Sequence, residues 1–334
     1  MKMKRALNLL AVGVIGVSML SGCSGGDSGA ADGQTANDGV VSINFPTAAT
    51  TGAVYPMGSA IANLWNNNVE GVRVSAQASN GGVDNLNMIA DGEAQMGVAV
   101  TSIMYESYNG TGTFEGRPND KLRVLAGLYY NPNQVVVTEE SGIESLEDLK
   151  GSNFAPGSAG GTSEVETRIH LTALGMNYPD DIKAQYVGFT EATDLMRNKQ
   201  IDGAWIMAGT PTAAVTEILS TAGGRLVPMD ASLIEKLKGE YPWYAEYTIP
   251  AGTYDGQDGD ILTSAIKMTI CTTSDLDEET AYQLTKTFWE NVDTLAETSS
   301  VLSKCSVEEA VTDLAGLPIH PGAERYYKEI GVLE

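Results

Sequence analysis

Residues 143–176, IESLEDLKGSNFAPGSAGGTSEVETRIHLTALGM, contain the unit that decides the fold: a helical turn, a strand, a glycine-rich loop and a helix. Ser163 followed three residues later by Glu166 is a capping-box pattern, which predicts that the helix opens at this serine. Strand–loop–helix units also occupy residues 40–102, so the pattern starts again halfway along the chain. Alternating strands and helices predict an α/β protein, and the restart predicts two α/β lobes with a ligand cleft between them.

The segments on either side extend this pattern. VVSINFPTA (40–48), GVRVSAQAS (71–79) and MGVAVTS (96–102) predict strands, and RVLAGLYYNPNQVVVTEE (123–140) predicts two strands around a turn at Asn131-Pro132-Asn133. Apolar residues at helical spacing in residues 277–297 predict a helix that packs back on the first lobe. The expected division is a first lobe of residues 40–130 and 255–334 and a second lobe of residues 131–254.

The amino-terminal segment predicts export. Three basic residues precede an apolar run over residues 6–20, which is the order of a secretory signal peptide, here residues 1–22. Leu20-Ser21-Gly22-Cys23 resembles the bacterial lipobox, in which the cysteine is lipidated and becomes the new N-terminus. Residues 23–39 are rich in Gly, Ser, Ala and Asp, which is typical of a flexible tether. The prediction is therefore an extracytoplasmic protein anchored through Cys23, and the alternative is an ordinary signal peptide that contains a cysteine.

Charge and residue types exclude several classes of function. The chain has 20 Lys and Arg against 43 Asp and Glu, a formal net charge of −23, which argues against nucleic acid and anionic membrane surfaces as partners. Only His170 and His320 are available as imidazole ligands, and no phosphate-binding loop, GxSxG or CxxC motif is present. We therefore expect no metal, no cofactor and no catalytic residue. Whether Cys271 and Cys305 form a disulfide is left open.

Two loops suit a ligand with negatively charged oxygens. Residues 47–55 and 157–163 each join a strand to a helix and carry hydroxyls and glycines. The N-terminus of a helix offers unpaired N–H groups and a partial positive charge, which favour carboxylate or phosphate oxygens. The alternative for either loop is an ordinary turn with a capping residue. One such loop in each lobe favours a site in the cleft.

Six segments together resemble the TAXI family, the extracytoplasmic solute receptors of TRAP transporters. They stand in the order and spacing of that family: TTGAVYPMGSAIANLWN (50–66), NGGVDNLNMIADGEAQMG (80–97), SGIESLEDLKG (141–151), DGAWIMAGTPTAAVTEI (202–218), YPWYAEYTIPAGTYDGQD (241–258) and LPIHPGAERYYKEIG (317–331). The resemblance covers about residues 42–331.

The resemblance implies a type II periplasmic-binding-protein fold, two α/β lobes joined by a hinge. It implies a monomeric receptor that captures a small, often carboxylate-bearing solute, of the glutamate or 2-oxoglutarate type, and delivers it to a TRAP permease driven by an ion gradient. One departure bears on the solute. The family's first loop reads close to TGGTGGVYYPLG, whereas TAATTGAVYPMG places Val54 at the first of two tyrosine positions and keeps Tyr55.

The candidate ligand-binding residues follow from the loops, the strand ends and the resemblance. For three of them an alternative remains open: Asn85 as a helix cap, Trp205 as a core side chain and Arg168 as a solvated surface cation. The full set is Thr50, Tyr55, Asn80, Asn85, Thr101, Ser102, Gly161, Thr162, Ser163, Arg168 and Trp205.

Two other functions remain alternatives to a transport receptor. The same fold would serve a binding protein that reports its ligand to a membrane sensor protein. An exported enzyme on this scaffold would need a nucleophile and a base, or a set of metal ligands, in the cleft. No candidate set of that kind is evident in the sequence.

Overall fold

One long strand, β4 (Leu122–Thr138), runs through both halves of the protein. The computed structural model describes residues 39–48, 50 and 53–334; the predicted signal peptide, Cys23 and nearly all of the predicted tether lie outside them. Val40–Glu334 forms one compact unit, and the description below concerns it. The first part of β4 pairs with β10 (Ile261–Thr273), and its last part pairs with β7 (Gly203–Met207) and β8 (Gly224–Val227), all antiparallel.

The first lobe contains three short strands. β1 (Val41–Pro46) and β2 (Val72–Gln77) pair in parallel, and β3 (Met96–Val100) pairs antiparallel with the last part of β10. The helices of this lobe are α1 (Val54–Asn68), α2 (Gly82–Ala90), α3 (Thr101–Asn109), α8 (Glu278–Glu290), α9 (Val292–Thr298) and α10 (Pro321–Glu329).

The second lobe repeats this plan around the other end of β4. β5 (Asn153–Ala155) pairs in parallel with β6 (Lys183–Ala184) and β7, and β9 (Tyr244–Ile249) pairs antiparallel with the start of β10. The helices of this lobe are α4 (Thr162–Ala173), α5 (Phe189–Arg197), α6 (Ala213–Ala222) and α7 (Ala231–Glu240).

The C-terminal helices complete the core of the first lobe. Trp65 on α1 is fully buried, and its indole N–H donates to the Leu284 carbonyl of α8 at 2.9 Å. Its ring lies 5.7 Å from that of Phe45, a tilted aromatic pair. The predicted return of the C-terminal helix to the first lobe is confirmed by these contacts.

The predicted turn at Asn131-Pro132-Asn133 is wrong, because β4 continues through it. Pro132 pairs with Ala265 of β10, and Asn133 pairs with Met207 of β7, so the proline stands where the strand changes partner. A proline has no N–H to donate and is tolerated where a ladder is interrupted.

Two predicted element starts also need correction. β3 ends at Val100 rather than 102, because α3 begins directly at Thr101. The predicted capping box does not form. Gly161 precedes α4, and the side chains of Ser163 and Glu166 bond to other strands instead.

Two further sequence features are settled by the described residues. Cys271 is buried and Cys305 half-buried, and both are free thiols, so they form no disulfide with each other. In the part of the chain that the structure describes, no helix has the length and apolarity needed to cross a membrane.

Candidate functional site

The carboxyl ends of the parallel strands of the two lobes face each other. β3 and β4 are both antiparallel to β10, so they run in the same direction, whereas β7 runs against β4. The last residue of β3, Val100, is level with Met268 of β10, and the last residue of β7, Met207, is level with Asn133 of β4. Both strands therefore end beside the middle of β4, from opposite directions. Open α/β sheets bind ligands at such carboxyl ends.

The loops at these ends carry no charge. No Asp, Glu, Lys or Arg occurs in residues 47–53 and 78–81 of the first lobe, or in 156–161, 185–188 and 208–212 of the second. In a chain with a formal charge of −23, this is a local neutral zone. The loops themselves therefore offer hydroxyls, amides and backbone groups, and the carboxylate of Asp84 bonds to Asn80 at the end of one of them.

Asn85 joins the first-lobe strands at this edge. It lies within α2 and is fully buried, and its Nδ2 donates to the carbonyls of Thr47 and Val98 at 2.8 Å and 2.7 Å. The alternative of a helix cap is therefore not what the geometry shows. Among the described residues its Oδ1 has no hydrogen-bond partner, although buried polar atoms are rarely left unpaired.

Thr101 and Ser102 form the first turn of α3 at the end of β3. Thr101 is fully buried and Ser102 nearly so. The Thr101 hydroxyl is a second buried group without a partner. Thr101 and Ser102 begin α3 directly after β3, at the strand end beside the middle of β4.

Gly161, Thr162 and Ser163 form the corresponding edge of the second lobe. Gly161 precedes α4, Thr162 begins the helix, and the Ser163 hydroxyl accepts a hydrogen bond from the Met207 N–H at the end of β7 (3.2 Å). The N–H groups of this first turn remain free of intrahelical partners, as at any helix start. The Gly161 N–H already donates to the Ser158 carbonyl at 2.8 Å, so the donors at this edge are the N–H groups that begin α4.

Asn131 lies between the two edges and is not among the residues predicted from the sequence. Asn131 is buried on β4, and the loop after β7 passes close to it, where a side chain at Gly209 would meet the Tyr129 ring at 3.3 Å and Asn131 Oδ1 at 3.7 Å. The absence of a side chain at Gly209 therefore permits this close approach. The composition of Asn131-Pro132-Asn133 drew attention to this segment, but it predicted a turn and not part of a site.

The remaining candidates lie in three different settings. Thr50 is exposed in the loop after β1, and Tyr55 is half-buried in the first turn of α1. Asn80 is exposed at the end of the loop after β2, where its backbone N–H and Nδ2 donate to the Asp84 carboxylate at 3.1 Å and 3.3 Å. Thr50 and Asn80 lie in the loops that precede α1 and α2, and Tyr55 lies within α1; their contact with a solute stays a prediction.

Arg168 and Trp205 do not lie at the strand ends. Arg168 is exposed on α4 and pairs with Glu164 at 3.7 Å. Trp205 is a core side chain in the middle of β7, and its indole N–H donates to Asn133 Oδ1 at 2.8 Å. The geometry favours a solvated surface cation for Arg168 and a core side chain for Trp205. Contact of either residue with a ligand stays a prediction.

A buried polar network lies directly behind the second-lobe edge. Glu166 accepts hydrogen bonds from the Tyr244 hydroxyl at 2.8 Å and from Asn133 Nδ2 at 3.0 Å. Burial raises the pKa of Glu166 to about 7, although both hydrogen bonds oppose this shift. Asn133 Nδ2 also donates to the Ser264 hydroxyl at 2.9 Å, which ties β4 to β10.

His170 completes this network as a neutral side chain. Its Nδ1 donates to the Glu166 carbonyl and its Nε2 accepts from the Ser264 hydroxyl, both at 2.7 Å. Burial lowers the pKa of His170 to about 4, while the bond to the carbonyl raises it in part. The 3.9 Å separation between Nδ1 and the Glu166 carboxyl is therefore not an ion pair at neutral pH.

The Ser264–His170 contact resembles that of a nucleophile and its base, but its surroundings differ from those of a catalytic pair. Both side chains are fully buried, so no substrate carbonyl reaches the hydroxyl in this structure. The Nδ1 of His170 bonds to a backbone carbonyl instead of an orienting carboxylate. Among the described residues, no cluster of three or more His, Cys, Asp or Glu could hold a metal ion.

A surface depression of about 250 Å³ lies away from the strand ends. It is lined by the ends of α2 and α3 and by the segment before β4, including Asn87, Ser107, Arg117 and Asn119. Ser107 Oγ is buried without a partner, as Thr101 Oγ1 is, which makes it a useful comparison within the same helix.

Two α/β lobes that share two continuous strands and direct their strand ends at each other define the class of periplasmic binding proteins. Residues 45–331 match the model of the NMT1-like family, and the chain therefore belongs to that family.

Solved structures with the same fold include three with low sequence identity. The periplasmic sulfonate-binding protein SsuA of a sulfonate ABC transporter from Methylobacillus flagellatus KT has a TM-score of 0.55 at 12% identity, over 89% of this chain and 96% of that chain. PhnD1 from Prochlorococcus marinus in complex with methylphosphonate also has a TM-score of 0.55, at 9% identity, over 89% and 100%. A Xanthomonas citri protein bound to ATP has 0.51 at 12% identity, over 87% and 96%.

The predicted fold class, a type II periplasmic-binding-protein fold of two α/β lobes, is confirmed by these structures. The family match supports a periplasmic solute-binding protein and does not single out the TAXI family.

Proposed function

We propose that the chain is an extracytoplasmic receptor that closes its lobes on one small solute and delivers it to a membrane transporter. The observation that carries this proposal is the opposition of strand ends from the two lobes, with buried, unpartnered polar atoms of Asn85 and Thr101 at one edge. Both residues are fully buried in this structure, so a solute would reach them only when the lobes open. Buried polar groups without partners are costly, and a solute bound there would relieve that cost.

The hinge in this proposal is the pair of strands that cross between the lobes. β4 changes partner between Pro132 and Asn133, and Pro132 and Asn131 are level with Ala265 and Ile266 of β10. We therefore assign residues up to about 265, rather than 254, to the second lobe. Hinge closure around a ligand is a usual motion of this architecture.

The proposed solute is a small molecule rich in acceptor oxygens, with carboxylates such as glutamate and 2-oxoglutarate as leading examples. The TAXI-type motifs support this class, and the donors available at the two edges are the hydroxyls of Thr101 and Ser163 and the first N–H groups of α4. The neighbours named for sulfonate and methylphosphonate binding make these two anions the natural comparison ligands.

The proposed partner is a TRAP-type permease, and the proposed anchor is a lipid on Cys23. The six TAXI-like segments support the permease, and the lipobox supports the anchor. An ABC transporter is a second candidate, because the named neighbours include the binding protein of a sulfonate ABC transporter. Uptake that requires an ion gradient supports the first partner, and uptake that requires ATP supports the second. Binding without uptake would favour a sensor partner.

Thr101→Val is expected to weaken solute binding about tenfold while it raises the free energy of unfolding by about 1 kcal/mol. Valine keeps the shape but removes a buried hydroxyl that no protein group satisfies. Titration calorimetry with glutamate and 2-oxoglutarate, together with urea unfolding, measures both effects.

The matched control for Thr101→Val is Ser107→Ala. Ser107 lies on the same helix with an equally unpartnered buried hydroxyl, but it lines the distant depression. We expect the same gain in stability and unchanged binding. Equal loss of affinity in both variants would contradict a site at the start of α3.

Binding is expected to change less than threefold between 20 mM and 500 mM NaCl. The loops at both edges are uncharged, and salt screens charge pairs far more than hydrogen bonds between neutral groups and a ligand at contact distance. The measurement is the dissociation constant across a salt series. A tenfold weakening would show that a lysine or arginine contacts the solute.

A further inference from the structure

Glu166 occupies the junction between the ligand-facing helix and both hinge strands. It lies three residues after Ser163 on α4, and its carboxyl accepts from Asn133, the residue at which β4 changes partner. Asn133 in turn donates to Ser264 of β10, beside the second crossing. A single side chain therefore connects the second-lobe edge to the hinge.

Within residues 53–334, no lysine or arginine forms an ion pair with this carboxyl. The groups that face it are Asn133 of β4 and Tyr244 of β9, and its own helix adds His170, which is neutral. β7 and β10 add the Trp205 indole and Ser264 hydroxyl to the surrounding network, neither of them charged. The neighbouring helix α7 contributes Lys236, but its ammonium bonds the Ala173 carbonyl at the far end of α4.

A buried carboxyl without a cation behaves differently in its two states. The neutral acid costs little to bury, whereas the carboxylate is a charge away from solvent, stabilised only by the two hydrogen bonds that it accepts. Its environment raises the pKa of Glu166 to about 7, within the physiological range. The ionised form is stabilised most easily by water that enters the junction. Entry of water separates α4 from the hinge strands.

We propose that Glu166 is a positioning residue whose neutral form holds the second-lobe edge against the hinge, so that ionisation loosens this junction and weakens solute binding. The proposal rests on the proposed function for its binding consequence, but not for the loosening itself. It assigns Glu166 no contact with the solute.

The first test uses hydrogen exchange on the ligand-free protein between pH 6 and pH 8.5, corrected for the intrinsic rate. Protection of residues 162–173 and 129–135 is expected to fall about tenfold in the native chain and to stay constant in Glu166→Gln. The matched control is Glu147→Gln, an exposed carboxyl of the same lobe, which should behave like the native chain. The same profile in Glu166→Gln as in the native chain would overturn the proposal.

Tyr244→Phe provides a second variant in case Glu166→Gln does not fold. The Tyr244 hydroxyl donates to the carboxyl and lowers its pKa, so its removal should move the midpoint of the loss of protection to higher pH. An unmoved midpoint would contradict the role of Glu166.

The binding consequence is tested with 2-oxoglutarate as the probe. Its dissociation constant should rise about tenfold from pH 6 to pH 8.5 in the native chain and less than threefold in Glu166→Gln. A rise that is equal in both overturns the link to binding. If 2-oxoglutarate binds at no pH, the proposed solute fails, and the ligand-free exchange profile alone decides the role of Glu166.

Discussion

Glu166→Gln gains about 3 kcal/mol of stability relative to the native chain as the pH rises from 4.5 to 7, on the basis of 1.4 kcal/mol per unit of pKa difference. Burial raises the pKa of Glu166 from 4.5 to about 7 in the folded protein. Its contribution to stability is therefore fully present below pH 4.5 and is lost as the pH rises through 7. Glutamine does not ionise, so the variant does not lose stability in this way as the pH rises.

His170 acts with the opposite sign. Burial lowers its pKa from 6.5 to about 4, so its contribution is present above pH 6.5 and is lost as the pH falls through 4. Over pH 4.5 to 6.5 the two effects offset each other in the native chain. Glu166→Gln removes one of them, which should leave a stability that rises steeply over this interval.

The measurement is urea unfolding at half-unit steps from pH 4.5 to 7.5. Glu147→Gln serves again as the control and should follow the native curve, because its side chain is exposed. A stability difference between Glu166→Gln and the native chain that does not vary with pH would show that Glu166 is not a neutral acid in the fold.

Trp65→Ala is expected to lose about 3 to 5 kcal/mol of unfolding free energy, the range for a buried tryptophan. The side chain is fully buried between β1 and the C-terminal helices, and its loss also leaves the Leu284 carbonyl without this donor. The reason for the size of the effect is that one side chain joins segments more than two hundred residues apart in sequence.

Trp65→Phe separates the two contributions to this effect. Phenylalanine retains most of the apolar contact with Phe45 but not the N–H, so a loss of about 1 to 2 kcal/mol is expected. Urea unfolding of both variants is the measurement. Equal losses would mean that the hydrogen bond to α8, and not packing, joins the C-terminal helices to the first lobe.

The loops of the site were predictable because their physical signature is local. A strand, a glycine- and hydroxyl-rich loop and a helix recur within about 30 residues, and the strand ends of an α/β sheet are where such loops meet. Thr101 and Ser163 are therefore predicted as candidates from the sequence alone. The burial of their side chains is not predictable in this way, because nothing in the local sequence shows that the Thr101 hydroxyl is buried without a partner among the described residues.

The errors arose where long-range partners override a local signal. Asn131-Pro132-Asn133 has turn composition, yet β10 and β7 extend the chain through it. Ser163 and Glu166 have capping spacing, yet both side chains bond to strands from elsewhere in the sequence. Helical spacing places Glu166 and His170 one turn apart, but only the packing of five elements shows that the pair is buried.

The central claim is that one solute contacts both lobes at the opposed strand ends. Hydrogen exchange of residues 40–334 with glutamate, 2-oxoglutarate, methylphosphonate and ethanesulfonate, each in excess, tests it most directly. We expect the compound that binds to protect residues 101–103 of the first lobe and residues 162–164 of the second lobe together. Protection confined to one lobe, or to the depression around Asn87 and Arg117, would contradict it.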